Sequence, residues 1–242
     1  PRMIKRAIIA GLPSAGVNVL DLRSVPIPVA RYYTRVTEAT GGVHVRLSPH
    51  DGRVVDIRFM DGRGLTLSKS AERDIERVFF REDFRRVYLD EIGSIDYAPG
   101  VIERYTDDFY SKVNIEALRA ARVPLVVDYA NAPTALVLPP ILSDLQAQVV
   151  TLNATLDENR MSIPQDEFDR SLQQLALISQ AVRARLGVRI DVGGEKLFLI
   201  DDRGRIVPGI LALAAFASLA LKANNGGTVA VPVNMPTIFE QI

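Results

Sequence analysis

One serine, Ser48, stands on a tight turn within GGVHVRLSPHDGRVVDIRF, residues 41–59, between two segments of extended character. A hydroxyl displayed on such a turn can accept a phosphoryl group and pass it on. A second stretch, LGVRIDVGGEKLFLIDDRG at 186–204, carries Asp191, Glu195 and Lys196 in a loop between two extended runs. Taken together, the serine turn and the carboxylate-bearing loop suggest a phosphoryl-transfer scaffold. Each group also has a plainer role. Ser-Pro in a turn is ordinary turn chemistry, and Asp191, Glu195 and Lys196 equally make the charged ends of a solvated hairpin. His44 and His50 are six residues apart across a strand and a turn, which is no metal spacing, and His44 falls on a sheet face. The Gly11 to Gly16 spacing imitates a phosphate loop, but Val17 and Asn18 stand where its lysine and hydroxyl belong.

The bulk composition excludes more than it selects. The 29 basic and 29 acidic residues cancel, so no global field draws the chain to nucleic acid or to an anionic membrane. Zero net charge also permits self-association to a homo-oligomer without requiring it. Cysteine is absent, which rules out disulfides and thiolate metal sites and fits a reducing cytoplasm. The most apolar run, ILALAAFASLAL at 210–221, is far shorter than the ~20 residues that span a bilayer, so a buried helix is expected there.

Periodicity supplies the elements that must position these groups. Helical spacing is expected over 3–15, with Gly16 as its stop, then a strand in VNVLDL, a helix in VARYYTRVTEAT and a hairpin around 48–53. Ser68 and Ser70 precede AERDIERVFF as N-cap candidates. Residues 85–113 are polar and weakly periodic and are expected to be a connector. Helices and strands then alternate from 114 onward: NIEALRAARV, PLVVDYA, ALVLPPILSDLQ, QVVTLNA, a polar loop at 154–163, QDEFDRSLQQLALISQAVRARL, VRIDV and KLFLIDD, and the apolar helix. That alternation predicts a largely parallel, helix-covered sheet. The closing segment GGTVAVPVNMPTIFEQI is expected to give one more strand after an Asn-Asn-Gly-Gly turn.

Three stretches resemble the α-D-phosphohexomutases, the phosphomannomutase and phosphoglucomutase family. VNVLDLRSVPIPVARYY (17–33) is similar to that family's strand and Pro-x-Pro helix start, PLVVDYANAPTALVLPPIL (124–142) to its second-domain strand and Ala-Asn loop, and LIDDRGRIVPG (199–209) to a further segment, all in the family's order. The resemblance implies an α/β fold of two consecutive α/β/α layered domains with mixed, mostly parallel sheets, at 1–114 and 115–225. It also implies the first strand of a third domain at 226–242 and a first strand ahead of Pro1.

It further implies a phosphoserine at Ser48, with His50 and Arg58 in catalytic positions, a magnesium site at Asp191 and Glu195, and a substrate contact at Lys196. The family's Thr-Ala-Ser-His-Asn-Pro loop falls here on Arg46, Leu47, Ser48, Pro49, His50 and Asp51. Its Asp-Gly-Asp-x-Asp-Arg loop falls on Asp191, Val192, Gly193, Gly194, Glu195 and Lys196, which removes one carboxylate and lengthens another. Two classes of function follow. One is a degenerate module that binds a hexose or mannose phosphate, with weak or no Mg²⁺, carried in one chain with a nucleotidyltransferase such as a mannose-1-phosphate guanylyltransferase. The other is an active mutase moving phosphate between O1 and O6 of a hexose.

Overall fold

The computed structural model describes residues 1–241. Helix α1 (Arg2–Gly11) passes at Pro13 into a short 3-10 turn, Leu12–Ala15, and Gly16 closes it at φ 82°, a left-handed conformation open to glycine. Strand β1 (Val19–Asp21) follows. Pro26 and Pro28 restrict φ and thereby start α2 (Ile27–Val36), which buries Ile27, Val29, Ala30 and Tyr33 on one face. The alternating runs form the expected antiparallel hairpin of β2 (Gly41–Leu47) and β3 (Val55–Asp61), paired from Gly41↔Asp61 to Leu47↔Val55. Ser68 caps α3 (Lys69–Arg81), its Oγ accepting the Ala71 N–H at 3.3 Å.

The expected connector is more ordered than its composition suggests. It holds β4 (Ile95–Tyr97), which pairs in parallel with β1, and α4 (Val101–Lys112). Ile102, Tyr105 and Phe109 make the apolar stripe of α4, and counting its tyrosine as polar hides the period.

Asn114 caps α5 (Ile115–Ala121) through Oδ1, 3.0 Å from the Ala117 nitrogen. Next come β5 (Pro124–Asp128), α6 (Leu138–Asp144), β6 (Gln148–Leu152), α7 (Gln165–Ala181), β7 (Leu186–Ile190), β8 (Leu197–Ile200), β9 (Ile206–Val207) and α8 (Gly209–Ala223). The sheet order is β6-β5-β7-β8-β9, parallel on both sides of β5 and antiparallel beyond β7. Alternation along β5 makes the layers. Val126 packs with Leu175 and Ala176 of α7, whereas Val127 and Tyr129 pack with Ile190 and with Leu138 and Leu142 of α6. A further cluster crosses between the two halves, joining Val29, Ala30, Tyr33 and Met60 to Val137, Ile141 and Leu145.

Two expectations fail here. The segment 226–236 forms no strand, because none of its residues pairs with an edge among the described residues; Ile242, the last residue of that stretch, lies outside them. Helix α8 forms as expected but buries only Ala214, leaving Leu211, Leu213, Phe216 and Leu219 exposed. Apolar composition fixes the helix, not what covers it. Among the described residues no helix is long and apolar enough to cross a membrane.

The shared cluster makes Ile141, 2% exposed, a sensitive position. Ile141→Ala is expected to cost about 2–5 kcal/mol in urea unfolding, against about 0.5 kcal/mol or less for Leu213→Ala on exposed α8.

Candidate functional site

The β2–β3 turn holds Ser48 through its backbone: Ser48 N–H donates to the Val54 carbonyl at 2.9 Å, and Val54 N–H to the Asp51 carbonyl at 3.1 Å. Asp51 clamps the tip, accepting the Arg53 backbone N–H at 3.0 Å and its guanidinium at 3.0 and 2.9 Å. That guanidinium holds the Asp51 carboxyl down to about 2. Among the described residues no group hydrogen-bonds the Ser48 hydroxyl. The turn is seated on the second half of the chain, where the Pro49 carbonyl accepts the Ile163 N–H at 3.0 Å. His50 follows it, with Nδ1 3.4 Å from the Ile163 carbonyl and its ring edge-on to Phe168, centroids 5.7 Å apart.

The carboxylate loop joins β7 to β8 as a hairpin and faces the same side. Asp191 caps it from inside: Oδ1 accepts the backbone N–H of Glu195 at 2.6 Å and of Lys196 at 2.8 Å, and Oδ2 that of Gly193 at 3.2 Å. Arg46, on β2 and only 9% exposed, reaches across with Nη1 3.3 Å from Asp191 Oδ2, while its Nε lies 3.3 Å from Asp56. Glu195 is held likewise from the first half of the chain. Arg31 donates from Nε and Nη2 to Oε1 at 3.1 and 2.8 Å, and Arg58 from Nη1 to Oε2 at 3.3 Å. Three guanidiniums thus face three carboxylates across the junction, and the local charge balances.

This donor set does not fit a magnesium ion. All four carboxylate oxygens of Asp191 and Glu195 already accept hydrogen bonds, and no group of three His, Asp or Glu side chains converges among the described residues. A dication placed there would meet guanidinium charge, a repulsion of about 4 kcal/mol per pair of unit charges at 4 Å and an effective dielectric near 20. The glycines explain why the arginine fits. A Cβ at Gly193 would run into Arg46 Nη1 and would lie 3.2 Å from Asp191 Oδ2, so the side chain missing from the loop is the space the guanidinium fills. Gly194, at φ +77°, backs onto Pro26 and Thr134, where a Cβ would approach to 2.9 and 3.0 Å. The Gly193 carbonyl accepts the Ile27 N–H at 2.9 Å and ties the loop to the start of α2.

Of the residues singled out by sequence, Arg58, Asp191 and Glu195 meet in one network, Ser48 and His50 occupy the adjoining turn, and Lys196 is exposed at the hairpin with its backbone bound to Asp191. Arg58 supplies fixed charge rather than a transferable proton. Arg46, Arg31 and Asp56 are the residues that sequence reading passed over. The available signal was an arginine at the position of the family's threonine together with a glycine at the position of its carboxylate. His44 lies on β2 opposite Arg58, its Nε2 3.2 Å from the Val25 carbonyl and its Nδ1 buried without a partner. Burial, then the nearby Arg46, push its pKa below the ordinary 6.5, partly offset by the Val25 contact.

Layered α/β/α packing thus sets a serine turn near a carboxylate hairpin. In comparison with known proteins, residues 1–86 match the family described as "Phosphoglucomutase/phosphomannomutase, alpha/beta/alpha domain I", and residues 103–204 match the corresponding domain II. The chain belongs to the phosphoglucomutase/phosphomannomutase family. It is 30% identical over 240 residues to a "Phosphoglucomutase/phosphomannomutase" of Thermococcus kodakarensis, covering 99% of this chain and 52% of that one. It is 28% identical over 240 residues to a "Phosphoglucosamine mutase" of Campylobacter concisus, covering 96% and 52%. A crystal structure of a phosphoglucomutase/phosphomannomutase family protein from Burkholderia thailandensis superposes with a TM-score of 0.78 at 21% identity, over 92% of this chain and 48% of that one. The chain spans about half the length of the curated relatives it matches.

Two outcomes follow. Gly193→Asp and Arg46→Thr are each expected to destabilise, the first by collision and the second by about 1–3 kcal/mol from unpairing the partly buried Asp56 and Asp191 carboxylates. Combined they should recover about 1–3 kcal/mol of the summed cost, and additivity in a double-mutant cycle of urea unfolding would contradict the shared-space geometry. A folded-state histidine pKa below 6.5 means the unfolded chain binds the extra proton first, so His44 adds no penalty above pH 6.5 and lowers stability as pH falls from there. Replacing His44 with Gln should flatten that dependence in denaturation measured from pH 7.5 to pH 5, roughly the span of a histidine titration.

Proposed function

We propose that this chain is a phosphohexomutase-family module that binds a sugar phosphate and has lost efficient phosphoryl transfer. The single observation that carries this reading is the Arg46 guanidinium seated between Asp56 and Asp191, in the space a Gly193 side chain would need. In a family whose transfer chemistry is generally magnesium-dependent, a cradle neutralised by arginine leaves the serine without its electrostatic support. Pro49 acts in the same direction, because it removes a backbone N–H directly after Ser48 and restricts that serine to extended geometry. Arg58, on the hairpin that carries the Ser48 turn, and Lys196, on the β7–β8 loop, are the side chains assigned to the phosphate, and the free hydroxyl of Ser48 to a sugar or phosphate oxygen. Neutralisation by fixed guanidiniums would let an anion bind without a metal.

Active mutase is the second reading, favoured by the retained serine and by relatives named as phosphoglucosamine mutase and phosphoglucomutase/phosphomannomutase. Carriage in one chain with a nucleotidyltransferase belongs to the first reading, as a use for a binding module without turnover.

A coupled assay separates them. With a hexose 1,6-bisphosphate primer and Mg²⁺, the expected rate is background, and glucose 1-phosphate or mannose 1-phosphate should bind equally well with and without EDTA. Magnesium-dependent turnover abolished by Ser48→Ala would establish the active mutase instead.

A further inference from the structure

A cleft of about 580 Å³ opens at the carboxyl ends of β5 and β6, between the loop 159–163 and the first turns of α7. In a doubly wound sheet this edge is where ligands lodge. Ala130, Asn131 and Asn153 beside it have φ of 51°, 55° and 49°; asparagine adopts this left-handed region readily, and Ala130 is the one of the three for which it is costly.

The floor is a buried ion pair. Asp128 and Arg189, 2% and 6% exposed, are bonded to each other, and Asp128 Oδ1 also accepts Asn153 Nδ2 at 3.0 Å and the Ala130 N–H at 2.9 Å. Arg189 lies over the Phe168 ring at 5.4 Å. Apolar residues would fill this volume at lower desolvation cost, so stability alone does not call for the pair. Arg160 and Arg170 stand at the rim with side chains 73% and 70% exposed, each meeting one neighbouring aspartate. Ser162 Oγ, on the lining, is buried with no hydrogen-bond partner.

We infer that this cleft is a second ligand site, separate from the Ser48 turn, for a phosphorylated polyol the size of a monosaccharide phosphate. The rim guanidiniums suit a phosphate. Asn153, Gln174 and the orphan Ser162 hydroxyl suit sugar hydroxyls, each otherwise left without a full set of partners. No aromatic ring is among the lining residues, so a nucleobase would find no stacking face. Each of the three lining arginines pairs with one aspartate, so the phosphate would be held by the guanidinium N–H groups those pairs leave over rather than by net charge, and Glu167 can accept from a sugar hydroxyl. The site shares its wall with the phosphoserine position, because the residue after Ser162 holds the Pro49 carbonyl.

Calorimetric titration with glucose 6-phosphate, and in parallel with inorganic phosphate and with glucose, tests this assignment. The expected result for the intact protein is two binding events for glucose 6-phosphate, with glucose much weaker and inorganic phosphate weaker than the ester. Arg160→Ala with Arg170→Ala should weaken one event about tenfold or more. Gln174→Glu, which places an anion in the cleft without removing a packed group, should abolish it while thermal unfolding stays unchanged. Arg58→Ala should affect only the other event. A single event that falls with Arg58→Ala and ignores the cleft variants overturns the second site and leaves the Ser48 cleft standing. One that responds only to the cleft variants does the reverse. Inorganic phosphate binding as tightly as the ester would overturn the sugar assignment.

Discussion

The Arg46 guanidinium, wedged between Asp56 on its own hairpin and Asp191 on the facing loop, is the contact on which the junction between the two halves of this chain depends. Its charge is nearly buried, so it persists only because carboxylates and shape receive it. Shape comes from Gly193, whose missing side chain is the room the guanidinium uses. Charge comes from two aspartates, and a parallel arrangement repeats beside it, with Arg31 and Arg58 on Glu195. Three guanidiniums thereby neutralise the three carboxylates that meet at this junction.

The rest of the junction is built around this wedge. Prolines 26 and 28 start α2 so that the Ile27 N–H meets the Gly193 carbonyl, and Gly194 can lie flat on Pro26 because it lacks a Cβ. The Ser48 turn is anchored on Ile163 and Phe168, which fixes the serine relative to the second half of the chain rather than leaving it on a free loop. Beneath all of this the cluster joining α2 and β3 to α6 keeps the two halves in register. Packing and the candidate site draw on largely different residues.

Much of this architecture was legible in the chain because it is local. Alternation in GGVHVRL and VVDIRFM sets the hairpin, Ser68 caps the helix that follows it, and Pro26 and Pro28 mark a helix start. What escaped is non-local. A three-residue β4 has no period of its own and exists only because β1 lies beside it, and the closing strand fails for want of such a neighbour. Helix α8 reads as core but lacks a cover on most of its faces. At the site, Asp191 and Glu195 were visible as carboxylates, yet their partners, Arg46, Arg31 and Arg58, lie 145, 164 and 137 residues away. No spacing rule connects positions so distant. The cleft over Asp128 and Arg189 was hidden for the same reason, inside what the sequence presents as a polar loop.

Magnesium titration of the wild-type protein beside the Arg46→Thr, Gly193→Asp double variant tests the substitution of guanidinium for metal most directly. Calorimetry should show no saturable Mg²⁺ uptake by the wild type and a saturable one-to-one event once the arginine is gone and the carboxylate restored. Wild-type uptake of Mg²⁺ that Asp191→Asn removes would contradict it.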